Sequence, residues 1–186
     1  MAGTEKEILI LVGSPRKDGR CAQLAAALKD CFHVEGFKVC LYPLSDYPVA
    51  ACNGCGACSA TGECVIVNDG FGVLSRHIDS CAAAVIVAPV YFAGPSAWLK
   101  AALDRCQVYW ARRYVLGQPL PAQRPAHLVA VGEGGDPFGF EPLKTICTSA
   151  LNSTGLRIDG SVHDFVGSNF DINRSQQLAH SIVEGL

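Results

Sequence analysis

Short uninterrupted hydrophobic runs alternate along this chain with stretches in which apolar residues recur every three or four positions. The runs at 8–12 and 82–88 contain no polar residue, which is typical of strands that are buried on both faces of a parallel sheet. The stretch after the first run has the spacing of a helix with one buried face, formed by Cys21, Leu24, Ala25, Leu28, Cys31 and Phe32. The pattern therefore indicates strands that alternate with helices.

This alternation predicts five strands and the helices between them. The strands are expected at 8–12, 37–42, 82–88, 128–131 and 156–162. The first helix is expected to start near residue 21 and the second to end near residue 79, with Val73, Leu74 and Ile78 pointing inward. Further helices are expected at 97–109, 140–153 and 173–185. Such an order predicts a doubly wound α/β fold around a parallel sheet.

The composition fits one domain of this kind. With 186 residues and 49% hydrophobic content, the chain can bury one sizeable core, so we expect a single domain over 1–186. Fifteen basic and seventeen acidic residues leave a net charge of −2, which indicates neither nucleic acid nor an anionic membrane as a partner. The first apolar run is too short for a signal sequence, and no run approaches the roughly 18 residues of a membrane span. We expect a cytoplasmic protein whose partners are small molecules or proteins.

Three of the predicted strands end in loops that are rich in Gly, Ser or Pro. These loops cover 13–19, 89–96 and 132–136. Because parallel strands end at one edge of the sheet, the loops are expected to lie together where doubly wound folds bind ligands. The first loop also leads into a helix, whose N-terminal N–H groups suit an anion, and Ser14 and Arg16 add further donors. An ordinary strand-to-helix turn with a surface arginine is the alternative.

A second signal comes from cysteine. Four of the ten cysteines form the pattern CxxCxxCx5C in a loop at about 47–66, at Cys52, Cys55, Cys58 and Cys64. In a cytoplasmic chain such a set indicates metal or redox chemistry more than a disulfide framework. A [4Fe-4S] cluster needs four converging thiolates, and Gly54 and Gly56 would let the backbone wrap tightly around it. Zinc, which usually uses two separated pairs, and free thiols or a disulfide are the alternatives.

The other cysteines and the histidines carry weaker signals. Six cysteines lie within apolar patterns and are expected to be small buried side chains, namely Cys21, Cys31, Cys40, Cys81, Cys106 and Cys147. The five histidines show no spacing of a known metal motif. We therefore expect the histidines to lie at the surface or to cap helices.

Several segments together carry a family resemblance. They are Gly13-Ser14-Pro15-Arg16-Lys17-Asp18-Gly19, Pro89-Val90-Tyr91-Phe92, Ser96-Ala97-Trp98-Leu99-Lys100 and Leu103-Asp104-Arg105. These residues resemble the flavodoxin-like NADPH-dependent FMN reductase family, and the resemblance covers most of residues 7–135. The cysteine pattern and Cys64-Val65-Ile66-Val67-Asn68-Asp69 are similar to the iron-sulfur flavoprotein branch of that family. The resemblance implies a five-stranded sheet in the order 2-1-3-4-5.

The resemblance also implies FMN as a cofactor at the three loops. The phosphate would be held by Ser14, Arg16 and the backbone at Arg20, Cys21 and Ala22. The flavin ring would lie along Pro89, Val90, Tyr91, Phe92 and Gly94, beneath a third loop that contains Gly132, Gly134 and Gly135. Many relatives have Asn-Thr where this chain has Arg20-Cys21. The missing hydroxyl would cost roughly 0.5–1.5 kcal/mol, which we expect the charge of Arg20 to offset.

A redox function follows from the same resemblance. The four cysteines would hold a [4Fe-4S] cluster that takes electrons from a ferredoxin-like donor and passes them to FMN and on to an acceptor. Without a cluster, the chain would be an NAD(P)H-dependent FMN or quinone reductase, and without a flavin it would be a thiol-based redox sensor or carrier. No side chain is expected to act as a catalytic acid or base. The family further implies a homodimer or homotetramer, and the aromatic and arginine residues of 109–114 have the composition of an interface core.

Overall fold

The computed structural model describes residues 6–158, 162–166, 171 and 173–185. Its strands are β1 (Glu7–Val12), β2 (Lys38–Pro43), β3 (Ala83–Pro89), β4 (Arg124–Gly132), β5 (Leu156–Arg157) and β6 (Val162–Val166). Its helices are α1 (Arg20–Val34), α2 (Cys58–Thr61), α3 (Phe71–Ser80), α4 (Ala97–Arg105), α5 (Gln107–Trp110), α6 (Glu141–Asn152) and α7 (Asn173–Glu184). A π-helical turn at Ala111–Val115 continues α5. Within the described residues, no helix is both long enough and apolar enough to cross a membrane.

The strands form one parallel sheet. Its order is β2-β1-β3-β4-β5, and β6 also pairs with β4. β1 lies between β2 and β3, so that Leu11 is opposite Tyr42 on one side and Ile86 on the other. Every residue of β3 is buried, as expected of a central strand with helices on both faces. The predicted doubly wound α/β fold and its strand order are confirmed.

The hydrophobic core has one layer on each face of this sheet. Side chains alternate along β1, so that Leu9 and Leu11 enter one layer while Ile8, Ile10 and Val12 enter the other. The first layer is covered by α3, α4 and α6. The second is covered by α1 and α7. This packing orients the carboxyl ends of the strands toward one edge of the molecule.

The last predicted strand differs from the sequence-based expectation. In place of one strand at 156–162, β5 pairs with Arg124 and Pro125 at the start of β4, and β6 pairs with residues 128–132 at its end. The sequence between β5 and β6 contains Asp-Gly-Ser at 159–161, outside the described residues, and these residue types interrupt strands. Within the described residues, the sheet therefore has six strands, and β5 and β6 share the edge of β4.

Two helical predictions also need correction. Leu74 and Ile78 of α3 are buried, but Val73 is 37% exposed because it lies beside the buried face. The helix expected at 97–109 is divided at Cys106, whose N–H donates to Leu103 O and whose carbonyl accepts from Tyr109 N–H. These bonds span three residues and tighten the backbone there.

Candidate functional site

The loops after β1, β3 and β4 meet at the carboxyl edge of the sheet. The Ser96 hydroxyl donates to Gly13 O at 2.5 Å, and this bond joins the second loop to the first. A Cβ atom at Gly13 would lie 2.9 Å from Leu99 Cβ and Cδ2. The glycine therefore allows α4 to approach the first loop.

Two cavities lie along this edge. The first has a volume of about 490 Å³, and its lining includes the predicted residues Ser14, Arg16, Arg20, Cys21, Pro89, Val90, Tyr91 and Gly132. The second has a volume of about 550 Å³, and its lining includes the predicted residues Val90, Phe92, Gly134 and Gly135. Because both cavities are lined by Val90 and Glu133, they form one groove. Ala22 and Gly94 line neither cavity.

One end of the groove suits an anion. Gly19, the residue before α1, has no side chain that could cap the helix, and the positive end of the helix dipole lies at this end of the groove. Ser14 is 4% exposed, and its hydroxyl accepts from Arg16 N–H at 3.1 Å. The N–H of Ala22 donates to Gly19 O at 2.9 Å, and the predicted contact of Ala22 with a phosphate stays a prediction.

An ion pair that the sequence did not indicate crosses the groove. The Arg20 guanidinium donates to the carboxylate of Glu133, which belongs to the predicted third loop but carries no motif of its own. The charge of Arg20 is therefore shared with Glu133 and is not reserved for a ligand. Burial raises the pKa of Cys21 to about 11, so its thiol stays neutral and is only a weak donor in place of a threonine hydroxyl.

The second loop has an unusual backbone. Phe92 and Ala93 have φ angles of 50° and 60°, in the left-handed region that non-glycine residues rarely adopt. Reciprocal backbone bonds between Tyr91 and Gly94, at 2.9 and 3.0 Å, hold this turn closed. The Phe92 side chain is completely exposed beside the groove. Left-handed residues of this kind cost on the order of 1–3 kcal/mol each and cluster at functional sites.

The four cysteines of the motif converge on a separate pocket. Its volume is about 170 Å³, and its lining includes Cys52, Cys55, Cys58 and Cys64, together with Arg105, Gln107 and Val108. Gly54 and Gly56, between the first three cysteines, have φ angles of 68° and 73°. Only glycine adopts such angles readily, so these two residues let the backbone turn around the pocket.

The spacing of the thiols bears on what this pocket can hold. All ten cysteines are free, and among the described residues no three of the four loop thiols lie within 4.8 Å of one another. Four sulfurs bound tetrahedrally to zinc at about 2.3 Å would be ~3.8 Å apart. The four thiols are therefore not arranged as a closed tetrahedral zinc site.

A second cluster of metal-type ligands lies at the amino end of β1. Glu7, Cys40 and His77 have ligand atoms within 4.8 Å of one another, although His77 belongs to no metal motif. His77 Nδ1 is 2.9 Å from Glu7 Oε1, and Lys38 Nζ is 2.8 Å from Glu7 Oε2. The carboxylate is therefore already balanced by a lysine, as in a structural ion-pair network.

One helix connects the groove with the cysteine pocket. α4 follows directly on Ser96 of the second loop and ends at Arg105, in the lining of the cysteine pocket. Its nine residues give it a length of roughly 13 Å. Arg105 belongs to the segment Leu103-Asp104-Arg105 that carries the family resemblance, but no sequence motif indicates its role.

Comparisons with known proteins agree with this geometry. A family model described as NADPH-dependent FMN reductase matches residues 7–155. An iron-sulfur flavoprotein from Archaeoglobus fulgidus is 36% identical over 109 residues, which are 58% of this chain and 49% of that protein. The chain spans about half the length of the curated relatives it matches.

Solved structures share the fold. NAD(P)H:quinone oxidoreductase from Methanothermobacter marburgensis has a TM-score of 0.69 at 12% identity, with 96% of this chain and 100% of that chain covered. Oxidised flavodoxin 1 from Bacillus cereus has a TM-score of 0.59 at 12% identity, with 98% and 99% covered. At these identities the likeness concerns the fold alone, which is flavodoxin-like.

Proposed function

This chain belongs to the NADPH-dependent FMN reductase family, and from that premise we propose that its cysteine loop holds a [4Fe-4S] cluster that serves the flavin. The chain is an FMN-dependent oxidoreductase. In the proposed function, electrons pass from a ferredoxin-like donor through the cluster to FMN and on to an acceptor.

The observation that carries this proposal is the convergence of four cysteines on one pocket. They come from a single run of thirteen residues, 52–64, whose glycines permit the turns that wrapping a compact metal group requires. The thiol spacing disfavours a closed zinc site. The relative from Archaeoglobus fulgidus is named an iron-sulfur flavoprotein.

The groove at the carboxyl edge is the proposed FMN site. The phosphate would bind where Ser14, Arg16 and the N-terminus of α1 meet, because donors and positive potential coincide there. The flavin ring would lie against the Pro89–Gly94 segment of the second loop. Gly134 and Gly135, both with a φ of 84°, would let the backbone of the third loop approach the ring closely.

The two cofactors would divide the chemistry between them. FMN exchanges electrons singly or as a hydride, and an iron-sulfur cluster moves one electron at a time, so together they link one-electron carriers to two-electron chemistry. The protein binds and orients both groups and shields the pocket with Val108. No side chain in the groove is assigned as a proton donor.

Anaerobic purification followed by iron and flavin analysis tests the proposal. We expect about four irons and one FMN per chain. Cys58→Ser should lose the iron and keep the flavin, because it removes one of four ligands outside the groove. Cys31→Ser, a half-buried cysteine of α1, is the matched control and should keep both.

A second candidate is an NAD(P)H-dependent FMN or quinone reductase without a cluster, and membership of the NADPH-dependent FMN reductase family favours it. A yellow, iron-free protein that oxidises NADPH would establish this function in place of the first. A protein with neither iron nor flavin would contradict both and would leave a thiol-based sensor.

A further inference from the structure

Arg105 is an unusually buried cation. It is 2% exposed and is among the largest fully buried side chains of the described part of the chain. Arginine is almost never buried unless it is paired, because removing its charge from water costs several kcal/mol. Its environment therefore indicates a specific task.

Two arms of the guanidinium tie together the two ends of the cysteine loop. Nη1 donates to Ala50 O at 3.2 Å, and Nη2 donates to Ile66 O at 2.7 Å. Ala50 precedes the first cysteine of the motif by two residues, and Ile66 follows the last one by two. The side chain thus closes the loop at its base.

Asp69 completes this closure. Its Oδ2 accepts from Arg105 Nη1 at 2.6 Å and from Ala50 N–H at 2.9 Å. Its Oδ1 accepts from Phe71 N–H at 3.1 Å, and the Phe71 ring lies 4.7 Å from Arg105 Cζ. The ion pair has side-chain exposures of 1% and 9%, so it is protected from solvent and keeps a defined geometry.

One donor of Arg105 is left over. Among the described residues, its buried Nε has no hydrogen-bond partner, and the same side chain lines the cysteine pocket. A buried charged N–H without an acceptor is costly, and such a group in a native structure calls for an explanation, such as a redox role or a bound ion. Thiolate and sulfide sulfurs of an iron-sulfur group would supply acceptors and negative charge in this pocket.

We propose that Arg105 is a positioning residue for the iron-sulfur group, which closes the cysteine loop and donates its Nε–H to a sulfur in the pocket. The inference rests on the proposed cluster and deepens it. Hydrogen bonds to the sulfurs stabilise the more negative, reduced form, and they are one of the factors that set a cluster's potential. Arg105 therefore raises the reduction potential of the bound cluster.

Arg105→Lys tests this role. Lysine keeps the positive charge beside Asp69, but one ammonium group cannot reach both ends of the loop and the pocket together. We expect the variant either to hold its cluster at a more negative midpoint potential in an EPR-monitored titration, or to lose iron while retaining FMN. Arg124→Lys is the matched control, because the Arg124 guanidinium also joins two backbone segments, donating to Ile78 O at 2.7 Å and to Thr154 O at 3.0 Å, but contacts neither the cysteine loop nor the pocket. It should keep both the iron and the potential.

The outcomes separate this inference from the proposed function. A wild-type chain without iron contradicts the cluster itself. A wild-type chain with iron, combined with an Arg105→Lys variant of normal iron content and unchanged potential, overturns the role of Arg105 and leaves the cluster standing.

A measurement on the unaltered chain covers the case in which the variant does not fold. In ¹⁵N NMR spectra, the Arg105 Nε–H resonance should shift between the iron-free and the iron-loaded protein, while that of Arg124, whose Nε donates to Ala122 O outside the cysteine loop, should not. An unshifted Arg105 resonance would contradict the inference.

Discussion

Single cysteines in this chain have two distinct environments. Burial raises the pKa of Cys106 and of Cys147 to about 12, so these thiols are neutral and act as small apolar side chains. Cys52 and Cys55, in contrast, are exposed in a loop that packs little apolar surface. Of the six cysteines predicted to be buried, Cys31 and Cys40 are only half-buried. Because Cys58 and Cys64 of the motif are half-buried as well, the candidate ligands are distinguished by their spacing in the sequence and not by their burial.

Gly13 tests the packing beneath the groove. In Gly13→Ala the new methyl would meet the fully buried Leu99 at 2.9 Å, and overpacking of this kind typically costs about 1–3 kcal/mol. Urea unfolding should show a loss of stability in that range. Gly72→Ala is the control, since a Cβ there meets nothing within 4 Å and alanine in a helix is favoured by ~0.5–1 kcal/mol. Equal stabilities for the two variants would contradict this account.

At the scale of elements, the ion pair between Arg20 of α1 and Glu133 of the third loop reduces the positive charge in the groove. Glu133→Gln removes the carboxylate that shares the guanidinium of Arg20. Because the pair is largely exposed, its loss should change stability by less than about 1 kcal/mol. FMN should bind more tightly, by up to about fivefold for a gain of ~1 kcal/mol, as measured by flavin fluorescence titration. Weaker FMN binding would place the phosphate elsewhere.

The histidines of β4 and β6 make folding depend on pH. The rings of His127 and His163 lie 5.8 Å apart, and burial, together with His163, lowers the pKa of His127 from 6.5 to about 4. Between pH 6.5 and about 4, His127 is therefore protonated in the unfolded chain but neutral in the folded chain. Its contribution to stability is complete above pH 6.5 and is lost as the pH falls toward 4.

Urea unfolding between pH 7.5 and 4.5 measures this dependence. His127→Gln should flatten the loss of stability at low pH. His33→Gln changes an exposed histidine, so its stability should vary with pH as that of the unaltered chain does. If the free energy of unfolding of His127→Gln fell with pH as steeply as that of the unaltered chain, other groups would control the pH dependence.

On the scale of the whole molecule, the sequence predicts the positions of the strands better than it predicts the contacts between distant side chains. The apolar runs of β1 and β3 indicate the central strands because these strands are buried on both faces. The cysteine spacing indicates the pocket because the cysteines that line it are close in sequence. The ion pair of Arg20 with Glu133 joins residues that are 113 positions apart, and the burial of Arg105 depends on Asp69, 36 positions away. No local period encodes such pairs, since they exist only once the sheet has assembled.

The structure also narrows the set of residues in the predicted interface segment, 109–114, that are exposed. Tyr109 is 3% exposed, and its hydroxyl donates to Asp79 Oδ1 at 2.9 Å, so it belongs to the core. Trp110 and Tyr114 remain 42% and 60% exposed, with ring centroids 5.7 Å apart. These two rings are the part of 109–114 that can still meet a partner.

Light scattering tests whether this surface joins copies of the chain. We expect a dimeric or tetrameric mass for the wild type and a shift toward the monomer for Trp110→Glu, because a carboxylate is costly in an apolar contact. Val34→Glu, at a residue that is 87% exposed, is the control and should keep the wild-type mass. A monomeric wild type, or an unchanged mass for Trp110→Glu, would remove this surface from the assembly.

The length of α4 has a consequence for how this fold can vary. Ser96 anchors the start of the helix to Gly13, and Arg105 anchors its end to Ala50 and Ile66. One inserted residue would turn the far end by about 100° and advance it by 1.5 Å, so both anchors could not be satisfied at once. We therefore expect α4 to tolerate substitutions along its exposed side but not an insertion or a deletion.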